Sequence, residues 1–283
     1  MLYQRFTGRA AIRFDTSVAA FAETERCVAV TLTDGATESV DLLVGADGVH
    51  SSVRQLAFGT ETPWTRELGY HMAAFILDEP PRQLDARDAF VTLTCANRQV
   101  TVYPIRGGRL ATFFLHKADW PLEEVSREAA CKELNQIYGD LGWAVPDLLA
   151  QCRTARSVYF DAVEQVQMSA WSTGRVVLVG DACQCVSPLA GQGASMALTA
   201  AYVLAEELDA RGDVSGALAR YEERLKPTIE RQQEAGRRIA KWFVPDDEPH
   251  RIVRDLVTRM ATWPSVSGLL RRRMAADSRL GRA

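Results

Sequence analysis

The stretch Arg175-Val176-Val177-Leu178-Val179-Gly180-Asp181-Ala182-Cys183-Gln184-Cys185-Val186-Ser187-Pro188-Leu189-Ala190-Gly191-Gln192-Gly193-Ala194-Ser195 decides how the chain is read. Its opening aliphatic run, Val176 to Val179, suits a short parallel strand buried on both faces. That strand delivers Gly180-Asp181 at its C-terminal end, where open α/β sheets collect ligands. Pro188 then fixes the backbone of a turn. Gly191, Gln192, Gly193, Ala194 and Ser195 open a helix predicted to run to Leu208, with its first turn nearly free of bulky side chains. A helix start presents unpaired N–H groups and a positive charge equivalent to about half an elementary charge. Such an end suits phosphate or another anionic group. A purely structural turn would not need so many small residues around one acidic side chain.

A second motif lies upstream: Val44-Gly45-Ala46-Asp47-Gly48-Val49-His50-Ser51-Ser52-Val53-Arg54. A strand ends at a glycine, Asp47-Gly48 makes a tight turn, and Ser51-Ser52 precedes a helix-like segment. Glycines here let backbone approach a ligand where a Cβ would collide. Asp47 offers an acceptor for hydroxyls, and Arg54 carries charge suited to phosphate. Taken alone, Asp-Gly after a strand is also a common turn.

Around these motifs the pattern alternates between β and α. Cys27–Leu32, a turn at Asp34-Gly35 and Ser39–Val44 predict a small meander whose last run, Leu42-Leu43-Val44, is apolar enough for burial on both faces. Val91–Cys95, Gln99–Ile105 and Leu110–Leu115 predict three adjacent antiparallel strands. Helices are predicted over Ser126–Tyr138, from Pro146-Asp147 onward, over Ser215–Phe243 with a kink at Pro227, and over Pro249–Thr262 and Val266–Ala275.

Bulk properties set the frame. The chain has 283 residues, 47% hydrophobic and 24% charged, so it can bury a core without help from disulfides or metals. A net charge of −3 implies no strong field for nucleic acid, and Arg271-Arg272-Arg273 reads as a solvated face. No apolar run is long enough to span a membrane and no secretory signal opens the chain, so a cytoplasmic location is expected. Cys27, Cys95, Cys131, Cys152, Cys183 and Cys185 therefore read as reduced and mostly buried. His50, His71, His116 and His250 are scattered, so no metal site is expected. His50 and His116 read as ordinary histidines before proton-transfer groups.

Together the two motifs resemble the second and third fingerprints of the FAD-dependent aromatic hydroxylases, the para-hydroxybenzoate hydroxylase-like flavoprotein monooxygenases. Gly45, Asp47, Gly48, Ser51, Val53 and Arg54 carry the Asp-Gly motif. Gly180, Asp181, Ala182, Pro188, Gly191, Gln192 and Gly193 carry the Gly-Asp motif. The resemblance implies an α/β fold: an FAD-binding three-layer domain from residues 1–66 and 155–212, a β-sheet substrate region over 67–154, and C-terminal helices over 213–283. It implies that Gly180-Asp181 serves the ribityl or pyrophosphate part of FAD. Pro188 and Gly191 to Ser195 would line the flavin ring, and Asp47, Gly48 and Arg54 would serve the pyrophosphate. The implied reaction is hydroxylation of an aromatic or related small molecule with NAD(P)H and O2, with Tyr103, Phe113 and Phe114 as candidate pocket aromatics. A homodimer fits the C-terminal helices, although core packing is their default use.

The family's opening strand–Gly-x-Gly-x-x-Gly–helix unit has no match in the first 44 residues, so the FAD domain reads as incomplete, whether through a fragment, a misplaced start or a genuine short form. Its loss would expose a sheet edge and apolar surface. Gln184 stands where many members carry histidine, and Ser195 where many carry asparagine. Two other readings share these motifs: a flavin-dependent reductase or dehydrogenase of the same fold, and a non-catalytic remnant.

Overall fold

The computed structural model describes residues 8–60, 64–81, 84, 86, 88–118, 122, 126–210 and 212–261. The helix expected over Val266–Ala275 and the triplet Arg271-Arg272-Arg273 lie outside the described residues. The architecture is mixed helix and sheet, as the sequence predicts, and it divides into two compact units. One combines Met1–Arg66 with Glu164–Gly236, the other Glu67–Val163 with Arg237–Ala283.

The first unit is built around the decisive strand. Val176, Val177 and Leu178 are fully buried, and Val176–Leu178 pairs in parallel with Leu43–Gly45. The short strand Ser172–Thr173 pairs antiparallel on its other side. A separate antiparallel meander, Val18–Glu23, Val28–Leu32 and Thr37–Val40, turns at Asp34-Gly35, where the Asp34 carboxylate accepts from the Ala36 N–H at 2.9 Å. The predicted strand Ser39–Val44 is thus two strands in two sheets. The break falls at Asp41, whose carbonyl accepts from the Arg175 guanidinium at 3.0 Å while the Leu43 N–H donates to the Arg175 carbonyl at 2.9 Å. Arg175 redirects the chain from one sheet into the other. Full burial of the Leu42-Leu43-Val44 run does not hold either: Leu43–Gly45 is the last strand of its sheet and Val44 is 42% exposed.

Two helices cover this unit. Gly193–Asp209 buries Ala200, Val203 and Leu204. Val214–Phe243 continues through Pro227 and turns Leu218, Tyr221, Leu225 and Ile229 toward the core, the three-to-four-residue spacing of an amphipathic helix.

The second unit is a five-stranded sheet in the order Val91–Cys95, Arg98–Pro104, Leu110–Lys117, Thr65–Ile76, Tyr159–Val166. The three antiparallel strands expected from sequence are adjacent, and Asn97 turns the first hairpin at φ 61°. One face, bearing Phe75, Val100, Val102 and Phe114, packs on Leu134 and Tyr138 of the helix Arg127–Tyr138 and on Leu148 of Val145–Cys152. Phe114 therefore belongs to the core and leaves the set of candidate pocket aromatics. Tyr103 and Phe113, on the opposite face by strand alternation, stay half-buried. Cys131 and Cys152, expected to be reduced, are joined as a disulfide between these two helices. Spacing in sequence does not reveal it, because helix packing brings the two Cα atoms to 6.0 Å.

Candidate functional site

The two motifs meet in the first unit at the C-terminal ends of the two parallel strands, Leu43–Gly45 and Val176–Leu178. Gly45 is required for packing and not for a ligand: a Cβ there would lie 2.6 Å from Leu178 Cδ2 and 2.8 Å from Val53 Cγ1. After it, the chain turns at Asp47-Gly48 into the helix Ser52–Phe58.

Ser51 is the N-cap of that helix, its hydroxyl accepting from the Arg54 N–H at 2.9 Å, and Asp47 braces this cap. Its carboxylate accepts from the Ser51 hydroxyl, from the Ser52 hydroxyl at 3.1 Å and from the Val53 N–H at 3.0 Å. Burial alone would raise its pKa, but these bonds outweigh it and hold the carboxyl below its usual range. Arg54 points inward, 4% exposed. Its Nη1 donates to the Ala182 carbonyl at 2.8 Å and its Nη2 to the Val49 carbonyl at 2.7 Å. Burial pushes its pKa down despite the nearby Asp47 carboxylate. The guanidinium expected to face phosphate is a clamp between the two motifs.

Asp181 is arranged differently. Gly180 precedes it at φ 67°, ψ −143°, a conformation L side chains avoid, and a Cβ there would also press on Ala197 Cβ at 3.1 Å. Among the described residues no hydrogen bond reaches the Asp181 carboxylate, and burial, unopposed, raises its pKa. Its Oδ1 faces Gly193, 3.7 Å from where a Cβ would stand on that glycine. The Asp181 side chain lies at an exposed position, where it can accept donors from water or from a ligand. Asp47 is occupied by its own helix. Asp181 is open to a ligand.

Gly193 begins the helix Gly193–Asp209, whose Gln192 N-cap makes no side-chain capping bond and whose first turn holds no acidic residue. The Ser195 hydroxyl donates back to the Gln192 carbonyl at 2.8 Å, so it does not cap the end either. Gly191, Gln192, Ala194 and Ser195 are exposed, as is Pro188, which starts the 3-10 turn Pro188–Ala190. The helix end is positive, uncapped and lined by small groups. Such an end favours a negatively charged group.

The supporting layer was invisible in sequence. Gln165 and Gln233 are buried amides that hold the segment leading into the turn. Gln165 Nε2 donates to the Val186 carbonyl at 3.1 Å and the Gln233 carbonyl at 2.7 Å, while Gln233 Nε2 donates to the carbonyls of Val166 at 2.6 Å and Cys185 at 3.1 Å. Gly236 permits this approach, since a Cβ there would meet the Val186 carbonyl oxygen at 2.8 Å. A glutamine in a polar stretch carries no mark of burial; only pairing across the fold reveals it.

The signature described as an FAD binding domain matches residues 1–234. The chain belongs to the FAD-dependent aromatic hydroxylase family. It is 34% identical over 241 residues to a flavin-dependent monooxygenase of an unknown prokaryotic organism, covering 83% of this chain and 60% of that protein. In structure it resembles the tetracycline destructase Tet(55), with a TM-score of 0.75 and 30% identity over 86% of this chain and 65% of that one. It also resembles Klebsiella pneumoniae HpxO complexed with FAD and uric acid, with a TM-score of 0.71 and 25% identity over 89% and 65%. The chain spans about 60% of the length of the curated relatives it matches.

Against the family pattern, Gln184 is not at the ligand-facing surface. It is buried, donating to the Tyr221 hydroxyl at 2.6 Å, and that hydroxyl donates to the Leu178 carbonyl at 3.2 Å. Burial raises the thiols of Cys183 and, to about 11, Cys185, so neither is a nucleophile. His50 is exposed, whereas His116 is buried and pushed down to about 3 by burial and then by His71. Among the described residues no helix is long and apolar enough to cross a membrane.

Proposed function

We propose that this chain supplies the flavin-ring side of an FAD site in a monooxygenase that uses NAD(P)H and O2 to hydroxylate an aromatic or related small molecule. The observation that carries the reading is the unpartnered Asp181 carboxylate beside the uncapped start of Gly193–Asp209. Membership of the hydroxylase family supports the redox class. When bound, FAD supplies the chemistry: electrons taken from NAD(P)H activate O2 for insertion of one oxygen atom into the substrate.

The protein's part is position and field. Asp181 accepts hydroxyls of the ribityl chain, which replaces the donors it lacks. The N–H groups at Gly193, Ala194 and Ser195 favour negative charge on the flavin's pyrimidine edge, an oriented donor set needing no reorganisation as charge develops. Gly191 and Gly193 keep side chains out of the plane's path. Asp47 and Arg54 act behind this surface, one starting the helix Ser52–Phe58 and the other tying that turn to Ala182. Substrate choice we assign to the sheet of the second unit, on the face that carries Tyr103 and Phe113.

The test is turnover by chain loaded with FAD, given NADH or NADPH in air with a panel of phenols and N-heteroaromatics. A product heavier by one oxygen, formed with matching cofactor oxidation, supports the proposal. Cofactor oxidation and oxygen uptake without an oxygenated product would instead make this a reductase or oxidase. Folded chain that stays colourless with excess FAD would make it a non-catalytic relative.

A further inference from the structure

We infer that His71, His116 and Glu133, in the second unit, form a binding site for a divalent transition-metal ion of the zinc type. The sequence gives no hint of it, since the three residues lie on three separate elements. His71 in Thr65–Ile76 and His116 in Leu110–Lys117 are direct cross-strand partners, so their rings leave the same face of the sheet. The helix Arg127–Tyr138 packs over that face and brings Glu133 to both. Glu133 Oε1 lies 3.6 Å from His71 Nδ1 and 3.8 Å from His116 Nε2, and all three atoms fall within 4.8 Å of one another.

The three ligand atoms are close enough for one ion to draw them together, with the two rings, up to 4.8 Å apart, closing furthest. Bonds of about 2.0–2.1 Å at a tetrahedral angle place ligand atoms about 3.3 Å apart. A few tenths of an ångström of closure between glutamate and rings reaches that value. Burial argues the same way: the side chains of His71 and His116 are 2% and 1% exposed, and that of Glu133 is 20%. Among the described residues, His116 Nε2 and Glu133 Oε1 are buried without a hydrogen-bond partner. Buried polar atoms in folded proteins are nearly always paired, so two orphans aimed at one point indicate a missing electrophile. With Nε2 given to a metal, the proton of His116 resides on Nδ1, which faces the Tyr138 hydroxyl at 3.3 Å. Such an outer partner fixes ring orientation and tautomer in histidine–metal sites.

Two imidazoles and one carboxylate suit zinc and its neighbours. They offer too few oxygens for calcium or magnesium. The Phe160 ring, 6.0 Å from His71 and 6.3 Å from His116 between centroids, adds an apolar wall. The partly exposed Glu133 gives the ion a way in and water a fourth position. The site would pin the helix Arg127–Tyr138 to the sheet, and it is independent of the flavin reading.

The experiment uses the full chain without a histidine tag, stripped by chelator, then titrated with Zn2+ by calorimetry and with Co2+ by visible absorption. We expect one Zn2+ per chain, a raised melting temperature, and a Co2+ spectrum of tetrahedral type. Glu133→Gln and His116→Gln should each weaken Zn2+ binding about tenfold or more. His250→Ala, which removes the exposed Asp247–His250 pair, should leave it unchanged. Absence of saturable Zn2+ binding to folded chain overturns the inference. So does binding that Glu133→Gln leaves intact or that His250→Ala abolishes. If His116→Gln does not fold, Glu133→Gln alone decides, its side chain being the most accessible of the three.

Discussion

Replacing Arg54 with methionine separates a structural clamp from a ligand contact. The aliphatic stem is kept, but the buried carbonyls of Val49 and Ala182 lose donors at 2.7 and 2.8 Å. Hydrogen bonds from a charged group contribute roughly 1.5–3 kcal/mol each, which gives about 3–6 kcal/mol for the pair. Against this stands relief from burying a guanidinium whose Nε has no hydrogen-bond partner among the described residues. The net destabilisation expected is about 2–4 kcal/mol. Arg54→Lys, a point charge able to reach one carbonyl well, should cost about half as much. Urea unfolding gives the stabilities. Because Ala182 lies in the second motif, hydrogen exchange in Arg54→Met should quicken over residues 180–186 as well as over 49–58. If Arg54→Met unfolds within about 0.5 kcal/mol of the parent yet loses FAD affinity, the guanidinium serves the ligand and the clamp reading is wrong.

Three further outcomes follow from the same structure. Asp47→Ala removes three hydrogen bonds from the start of Ser52–Phe58 and should cost about 1–2 kcal/mol near neutral pH. Its folded pKa is lowered, so this stabilisation is fully present above the unfolded value of about 3.9 and fades as pH falls through the folded one; melts from pH 7 to 3 should show the two chains converging in acid. Gly236→Ala places a methyl 2.8 Å from the Val186 carbonyl oxygen and should cost about 1–3 kcal/mol by chemical denaturation, with loosening at Cys185–Ser187. Alkylation of denatured, unreduced chain should modify Cys27, Cys95, Cys183 and Cys185 but spare Cys131 and Cys152, and reduction should lower stability by about 3 kcal/mol for a loop of 21 residues.

What could be read from sequence was what repeats locally. An all-aliphatic run followed by Gly-Asp, and a helix start made of small residues, report their own geometry, so Val176–Leu178 and Gly193–Asp209 were legible to within a residue or two. The break at Asp41 was not, because the strand is cut by Arg175, a residue far along the chain. Roles within the motifs were harder than their presence. Asp47 and Asp181 look alike in sequence, each an aspartate after a strand, yet one is filled by its own helix and the other faces outward without a donor. Arg54 misled because charge suggests an anion, whereas its carbonyl partners are uncharged and one is supplied from the other motif. Gln165, Gln233 and the pair His71–His116 became visible only through long-range register.

The measurement that bears most directly on the central claim is a fluorescence titration of FAD into the parent chain and into Asp181→Asn. Loss of a charged acceptor for ligand hydroxyls, at roughly 1.5–3 kcal/mol, predicts affinity weaker by about tenfold to a hundredfold. Asp181→Asn should fold at least as stably as the parent, because burial penalises the charge it removes. Saturable binding by the parent and that loss in the variant is the predicted result. Equal affinity in both chains, or no binding by folded parent, would contradict the account.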